Sequence, residues 1–417
     1  MDTLLTINFI IAAIFFVCYT YQFAYIPVPW LKKEPAHREE KRHRFAVLIC
    51  ARNEERVIAK LIESIHGQTY DRGSVRIFIM ADNCTDNTAR AARNAGAIVY
   101  KRNNPFLVGK GYALEELLDN IAEDYPRGYF DGYFVFDADN VLDKNYIKEM
   151  NRTFCDGYDI ITSYRDSKNY GSNWISAGYA LWFLRESRYL NHARFLLGTS
   201  CAVSGTGFFF SQRILEKNGG WPFHLLTEDI EFTVHNIING EKVGFCSKAV
   251  LYDEQPVSFR QSCRQRMRWA KGYIQVFQKY GADLLKGALH GNFSCFDMAM
   301  AIMPAVVLIA VCVLVNSVMA VLTLASEESI LPILLSVGQS ALNVYLTLFA
   351  VGAITTATEW KSIAAPAWKK VLYAFTFPLF MLTYIPISFA ALFAHVEWKP
   401  IEHSVSVSCE ELWREGA

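Results

Sequence analysis

Residues 45–82 read FAVLICARNEERVIAKLIESIHGQTYDRGSVRIFIMAD, two apolar runs either side of an amphipathic stretch. FAVLIC (45–50) and VRIFIMAD (75–82) predict buried strands, and VIAKLIESIHG between them predicts a helix. The alternation continues. TARAARNAG reads as a helix ended by Gly96, AIVYKR as a third strand, GYALEELLDNIAE as a third helix and YFVFDAD (133–139) as a fourth strand. Strands separated by helices of this length predict an α/β domain with a mostly parallel, doubly wound sheet. Ligands of such sheets bind at the carboxyl ends of the strands. The residues to question there are Arg52, Asn53 and Glu54 after the first strand, Asp82 after the second, and Asp137 and Asp139 after the fourth.

Outward from this domain the composition changes. Of 417 residues, 52% are hydrophobic and 20% charged, against about 25% charged in an average globular chain. The 41 basic and 41 acidic residues cancel, which excludes nucleic-acid binding driven by bulk positive charge. Charge is dense over 32–290 and nearly absent from 3–27, 298–325, 330–357 and 371–394. Each of those stretches exceeds the roughly 20 residues that cross a bilayer. A membrane protein with one large aqueous domain is expected.

The first apolar run is followed by LKKEPAHREEKRHR (31–44), the reverse of a secretory signal, whose charge precedes its apolar core. The positive-inside rule then puts residue 32 onward in the cytosol. SEES (326–329) is expected outside, and Lys361, Lys369 and Lys370 inside. Pro378 and Pro386 interrupt the last run, predicting a kinked or re-entrant segment and leaving the side of the C-terminus open. Ten scattered cysteines include no CxxC pair, so reduced thiols packed as small hydrophobes are expected, in keeping with a cytosolic domain.

Asp137-Ala138-Asp139 puts two carboxylates on one face of an extended chain, able to hold a divalent ion, although Asp and Asn here also suit a plain turn. Asp82 ends its strand in ADNCTDNTA, where Thr85 or Asp86 can cap the next helix. Thr227-Glu228-Asp229 follows WPFHLL. It reads as an N-cap with acids in the first turn, or as an acid tuned for proton abstraction. Gln265, Arg268 and Trp269 share one helical face within FRQSCRQRMRWAKGYIQVF. That face suits a diphosphate beside a stacked sugar ring. The same helix, with Phe259, Met267, Tyr273, Ile274 and Phe277, also reads as an amphipathic helix on the bilayer interface.

Asp82, Asp137-x-Asp139, Thr227-Glu228-Asp229 and Gln265-x-x-Arg268-Trp269 stand in the order of the "D, DxD, D, QxxRW" signature. Over about residues 45–275 the chain resembles the processive, membrane-embedded family 2 glycosyltransferases, synthases of cellulose, curdlan, mixed-linkage glucan, poly-N-acetylglucosamine and hyaluronan. The resemblance implies a GT-A fold, a UDP-sugar donor, and Mg²⁺ or Mn²⁺. Carried across, Asp82 reads the uracil with Arg52, Asn53 and Glu54 at the nucleotide rim. Lys110 lies near the donor phosphates, Asp137 faces the donor, Asp139 ligates the metal and Arg268 serves the diphosphate. Asp229 is the base, and Glu228, Gln265 and Trp269 hold the acceptor, with GTSCAVSGTGFFF (198–210) as its wall or simply a strand pair with a glycine turn.

The expected organisation is an N-terminal transmembrane helix (1–30), a basic linker (31–44), a cytosolic GT-A domain (45–254), interfacial helices (255–290), a transmembrane region of about three segments (291–398) and a tail (399–417). The expected activity is inverting transfer of glucose from UDP-glucose to a growing β-glucan, with translocation across a bacterial plasma membrane. The TED form of the third motif leans toward glucose. About four spans are few for a translocating channel, which implies help from the interfacial helices or a homo-oligomer. No segment after 398 resembles the PilZ domain of many cellulose synthases, so control by cyclic di-GMP is not expected. The rivals are synthesis of another polysaccharide, a non-processive enzyme acting on a lipid, and a transporter or receptor that only binds nucleotide. The last is disfavoured by spans free of charge.

Overall fold

The computed structural model describes residues 18–303 and 331–401 without interruption, and 6, 9, 10, 13, 14, 314–318, 321, 403 and 405 singly or in short pieces. Its centre is an eight-stranded sheet of β1 (Phe45–Ala51), β2 (Val75–Asp82), β3 (Ile98–Arg102), β4 (Gly132–Asp137), β5 (Val141–Leu142), β6 (Ile160–Ser167), β7 (Phe208–Ser211) and β8 (Val243–Asp253). The helices, in chain order, are α1 (Tyr21–Tyr25), α2 (Val28–Leu31), α3 (Ile58–His66), α4 (Thr88–Asn94), α5 (Lys110–Asp124), α6 (Tyr146–Cys155), α7 (Trp174–Arg185) and α8 (His192–Leu197). They continue with α9 (Gln212–Lys217), α10 (Glu228–Ile238), α11 (Phe259–Leu289), α12 (Phe293–Ile302), α13 (Leu331–Thr358), α14 (Ala367–Leu382) and α15 (Tyr384–Phe393).

The sheet order is β3-β2-β1-β4-β7-β6-β8-β5. From β3 to β4 every pairing is parallel, as the alternating pattern predicts. Beyond β4 the sheet is mixed, since β7 runs antiparallel to both β4 and β6, and β5 antiparallel to β8. The expectation of a mostly parallel sheet is corrected for that half. The Ser204–Gly207 turn leads into β7. Gly207, at φ +66°, precedes β7, and a Cβ there would lie 1.8 Å from the Leu251 side chain.

Period-two alternation explains why β1 is apolar throughout. Ala46 and Leu48 enter one core with α5, while Phe45, Val47 and Ile49 enter the other with α3 and α6. Parallel register aligns the carboxyl ends: Ala51 pairs with Ala81, and Cys50 with Asp137. Asp82 and Asp137 are thereby set on either side of the end of β1.

The 255–290 region is one helix, α11, rather than several. It is enclosed more than a surface helix would be, with its Lys271 donating to the Ala391 carbonyl of α15 at 3.2 Å. α14 and α15 are separated at Thr383, and Pro378 and Pro386 lie inside them. The fully buried Arg266 donates to the Phe380 carbonyl (3.1 Å) and to Thr383 Oγ1 (2.7 Å) at that break. α14 meets α7 where Gly178 leaves room for the Phe380 ring, 2.3 Å from where a Cβ would stand.

Among the described residues, Val337–Thr358 and Ala367–Phe393 are long and apolar enough to cross a membrane. Most of the expected span at 298–325 and most of the tail lie outside the described residues, and the first span is described only in part. The eight described cysteines carry free thiols.

α1 is anchored through Asp297 of α12. This fully buried carboxylate accepts from Tyr21 (2.7 Å), Tyr25 (2.9 Å) and both Nε and Nη2 of Arg194 (2.7 and 2.9 Å). Asp297→Ala would leave the Arg194 guanidinium buried and unpaired, at a cost of about 3–5 kcal/mol. A clear fall in the unfolding midpoint of the detergent-solubilised protein is expected; an unchanged midpoint would show that the cluster holds nothing together.

Candidate active site

The carboxyl ends of β1, β2 and β4, the turn before β7, the start of α10 and one face of α11 enclose a cavity of about 480 Å³. Of the twelve residues singled out in the sequence, eleven line it, from Arg52, Glu54 and Asp82 to Gln265, Arg268 and Trp269. Asn53 does not. It adopts φ +60°, and its side-chain oxygen accepts from the Thr85 amide at 2.8 Å, shaping the loop after β1 instead of facing the cavity.

On the donor side, Asp82 accepts from Arg102 Nη1 and from the Asn83 amide, both at 2.8 Å. Burial pushes its carboxyl up, and Arg102 opposes the shift. Asp137 Oδ1 accepts from Lys110 Nζ at 2.5 Å, and the same ammonium donates to the Gly205 carbonyl at 2.7 Å. Burial draws Lys110 down, but Asp137 and Glu228 outweigh it, so its net shift is upward. Asp139 is buried and accepts from the Glu254 amide at 2.8 Å. Burial alone would raise its carboxyl, yet His403 and Lys168 hold it below the usual value.

The acceptor side begins at α10. Its first turn carries Glu228, Asp229 and Glu231, where the positive end of the helix dipole favours negative charge. Asp229 Oδ2 accepts from the Gly205 amide at 2.6 Å. Burial raises both carboxyls, and Glu228 is pushed up to about 7 by burial and by the charge of Asp229. Thr227 is the N-cap by position, yet its hydroxyl is buried with no hydrogen-bond partner among the described residues. Across the cavity Arg268 donates to the Leu226 carbonyl at 3.2 Å. The Trp269 indole stands edge-on to Tyr179 (5.7 Å) and Phe183 (6.1 Å). Trp269, Tyr273 and Ile274 line the cavity.

Sequence reasoning missed five contributors. Arg102 was legible in principle, because the parallel register of β2 and β3 pairs it with Asp82. Arg165 and Asp253 form an ion pair on the wall, with the guanidinium 3.6 Å from the Phe183 ring centroid. His403 comes from the tail and bonds Glu54 at 3.0 Å, while Trp398 lies under Arg52 at 5.6 Å. Burial would lower His403, but Asp139 and Glu54 raise it to about 10. No local pattern in the sequence points to contacts across about 350 residues.

Among the described residues no group of three His, Cys, Asp or Glu is arranged to hold a metal. Asp137 and Asp139 nevertheless present hard oxygens to the cavity, with one oxygen of each carboxyl unbonded by the described residues. That donor set fits Mg²⁺ or Mn²⁺ bound by one or two carboxylates and completed by substrate phosphates.

An acidic pair suited to a divalent cation shares this cavity with two buried carboxylates at the start of α10. The sequence matches the family described as Glycosyltransferase like family 2 over residues 43–272, more than half of the chain, which therefore belongs to that family of sugar-transferring enzymes. Relatives include "Probable glycosyltransferase YdaM" of Bacillus subtilis (24% identical over 60% of this chain and 61% of that one) and "Beta-monoglucosyldiacylglycerol synthase" of Synechocystis sp. (24%, 56% and 48%). "Poly-beta-1,6-N-acetyl-D-glucosamine synthase" of Staphylococcus aureus is 22% identical over 59% of this chain and 58% of its own. The matches thus span about half to three-fifths of these relatives. Among solved structures, the mannosyltransferase PcManGT of Pyrobaculum calidifontis in complex with GDP-Man and Mn²⁺ shares the fold at TM-score 0.59. It is 16% identical and covers 94% of this chain and 99% of its own.

The acidic pair on α10 generates a pH prediction. Burial raises both carboxyls, and a raised carboxyl stays protonated to higher pH than usual, so kcat/KM is expected to rise with pH along a limb that lies above the ordinary carboxylate range. Glu228→Gln removes the like charge beside Asp229 and is expected to move the acid limb to lower pH. An unmoved limb in the pH–rate profile would separate Glu228 from the titration of the base.

Proposed function

We propose that this chain is an inverting hexosyltransferase that moves glucose from UDP-glucose to the end of a β-glucan. The carrying observation is that one cavity is lined by Asp137, Asp139 and Lys110 together with Asp229, Gln265 and Trp269. In this reading Asp82 and Arg52, with Glu54, hold the nucleoside, and Lys110 and Arg268 hold the diphosphate. Asp137 and Asp139 hold Mg²⁺ or Mn²⁺, which would supply charge neutralisation for the departing UDP. Asp229 takes the proton of the acceptor hydroxyl. The new O–C1 bond forms as the C1–O bond to the β-phosphate breaks, and an α-linked donor gives a β-linked product. Trp269 stacks on the terminal sugar, and Gln265 and Glu228 receive its hydroxyls.

We extend the reading to a multi-pass protein of a bacterial plasma membrane, its catalytic domain cytosolic, with the expected four spans providing the route for the product, alone or in a homo-oligomer. A second reading is transfer to a lipid acceptor. It is favoured by the apolar end of the cavity, where Ile302, Met303, Tyr384 and Ile385 approach the base, and by the printed activity of the Synechocystis relative.

Membranes containing the protein, given each labelled UDP-sugar with Mg²⁺ or Mn²⁺, test both readings. Label from UDP-glucose is expected in a polymer that a β-glucanase digests. Incorporation only from UDP-N-acetylglucosamine or UDP-glucuronate would replace the sugar, and label only in a single glycolipid would replace the acceptor. Trp269→Ala is expected to shorten the product more than it weakens UDP binding, because each added sugar offers the indole the same apolar face. Full-length product from that variant would reduce Trp269 to a packing residue.

A further inference from the structure

Between α7 and α8 the chain makes a π-helical turn, Glu186–Asn191, and such widened turns occur mostly at functional sites. Its first residue, Glu186, lines the catalytic cavity. One carboxylate oxygen receives a long hydrogen bond from Ser204 Oγ at 3.4 Å, and the other makes no hydrogen bond among the described residues. Three arginines lie close enough to act on it electrostatically, and each is engaged elsewhere. Arg165 pairs with Asp253, Arg194 with Asp297, and Arg185 donates to Gln22 at 3.1 Å. Glu186 therefore faces the cavity with hydrogen-bonding capacity to spare.

Its position is on the acceptor side. Ser204 adjoins Gly205, whose amide holds Asp229. Burial and the negative charges of Glu186 and Asp229 together hold the Tyr273 phenol well above its usual range, so this α11 residue feels both carboxylates. Phe183, one turn before Glu186 on the same helical run, meets the Trp269 indole at 6.1 Å. A carboxylate bordered by aromatic faces is the chemistry that receives a sugar ring, with hydroxyls to the acid and C–H faces to the rings.

We propose that Glu186 is an acceptor-binding, specificity-determining residue that accepts a hydrogen bond from a hydroxyl of the acceptor's terminal sugar. The proposal rests on the transfer reaction proposed above and narrows its acceptor. The single hydroxyl of a diacylglycerol must face Asp229, which would leave the Glu186 carboxylate against acyl chain with no donor. A saccharide end satisfies both carboxylates, whether it terminates a glucan or forms the headgroup of a glycolipid. Burial pushes the Glu186 carboxyl up and the three arginines oppose that, consistent with a group waiting for a donor.

The test uses the full chain in detergent or nanodiscs, with the UDP-sugar that the wild type consumes. The acceptor probes are cellotetraose, octyl β-glucoside and dioctanoylglycerol. Glu186→Gln is expected to raise KM for the saccharide probe roughly 10- to 100-fold, the loss of one charge-assisted hydrogen bond. UDP affinity should stay unchanged, a readout that a collapse of the π-turn would not spare. Ser204→Ala, which keeps the carboxylate and removes its one hydroxyl partner, is expected to change the same KM by less. Preference for cellotetraose over octyl β-glucoside identifies a glucan end, the reverse a glycolipid, and both support the proposal. An unchanged saccharide KM in Glu186→Gln, a parallel loss of UDP affinity, or dioctanoylglycerol as the best acceptor would overturn it while leaving the transfer reaction standing. If the wild type released UDP from no UDP-sugar, the proposed function itself would fall, and this assignment with it.

Discussion

The Lys110 ammonium is the contact on which the site depends. It sits at the start of α5, donates to Asp137 at 2.5 Å, and reaches the Gly205 carbonyl at 2.7 Å. The amide of the same glycine holds Asp229 at 2.6 Å. One buried cation and one glycine residue thus join the acidic pair after β4 to the carboxylate at the start of α10. Without the cation, Glu228 and Asp229 would lose one of the two positive charges, Lys110 and Arg268, that oppose the rise of their buried carboxyls. The antiparallel entry of β7 makes the link possible, because it returns the chain as a turn across the end of β4.

The charge balance also explains a division of labour. Asp139 is held ionised by the cations around it, as suits a group that would meet a metal. Burial raises the carboxyls of Glu228 and Asp229, that of Glu228 to about 7. α11 closes the cavity opposite these acids. Its polar face contributes Gln265 and Arg268, and its neighbours α12 and α15 make the far end apolar. Chemistry at the sheet edge is thereby brought against helices that include stretches apolar enough to cross a membrane.

What was legible in the sequence follows from locality. β1 to β4 and α3 to α5 are written in short apolar runs and helical stretches, and Asp82 and Asp137 mark strand ends that the pattern itself defines. The four motifs fall in order, so eleven of the twelve chosen residues share one cavity. The exceptions have physical reasons. Asn53 looked like a rim residue because it follows a strand, but its left-handed backbone and its bond to Thr85 use it as a loop brace. The antiparallel half was hidden because FFFS is too short to reveal direction. His403 and Glu186 were invisible for different reasons. One reaches the site only through tertiary return of the tail, and the other sits in an apolar helical stretch whose π-turn no periodicity announces.

The account rests on Asp229 removing a proton in a cavity whose donor side works independently of that step. The direct measurement compares Asp229→Asn with the wild type, titrating UDP in the presence of Mn²⁺ and following turnover of the UDP-sugar in parallel. Nearly unchanged UDP affinity is expected, with turnover lower by about 10²- to 10⁴-fold. Turnover close to the wild type, or loss of UDP affinity equal to the loss of turnover, would contradict it.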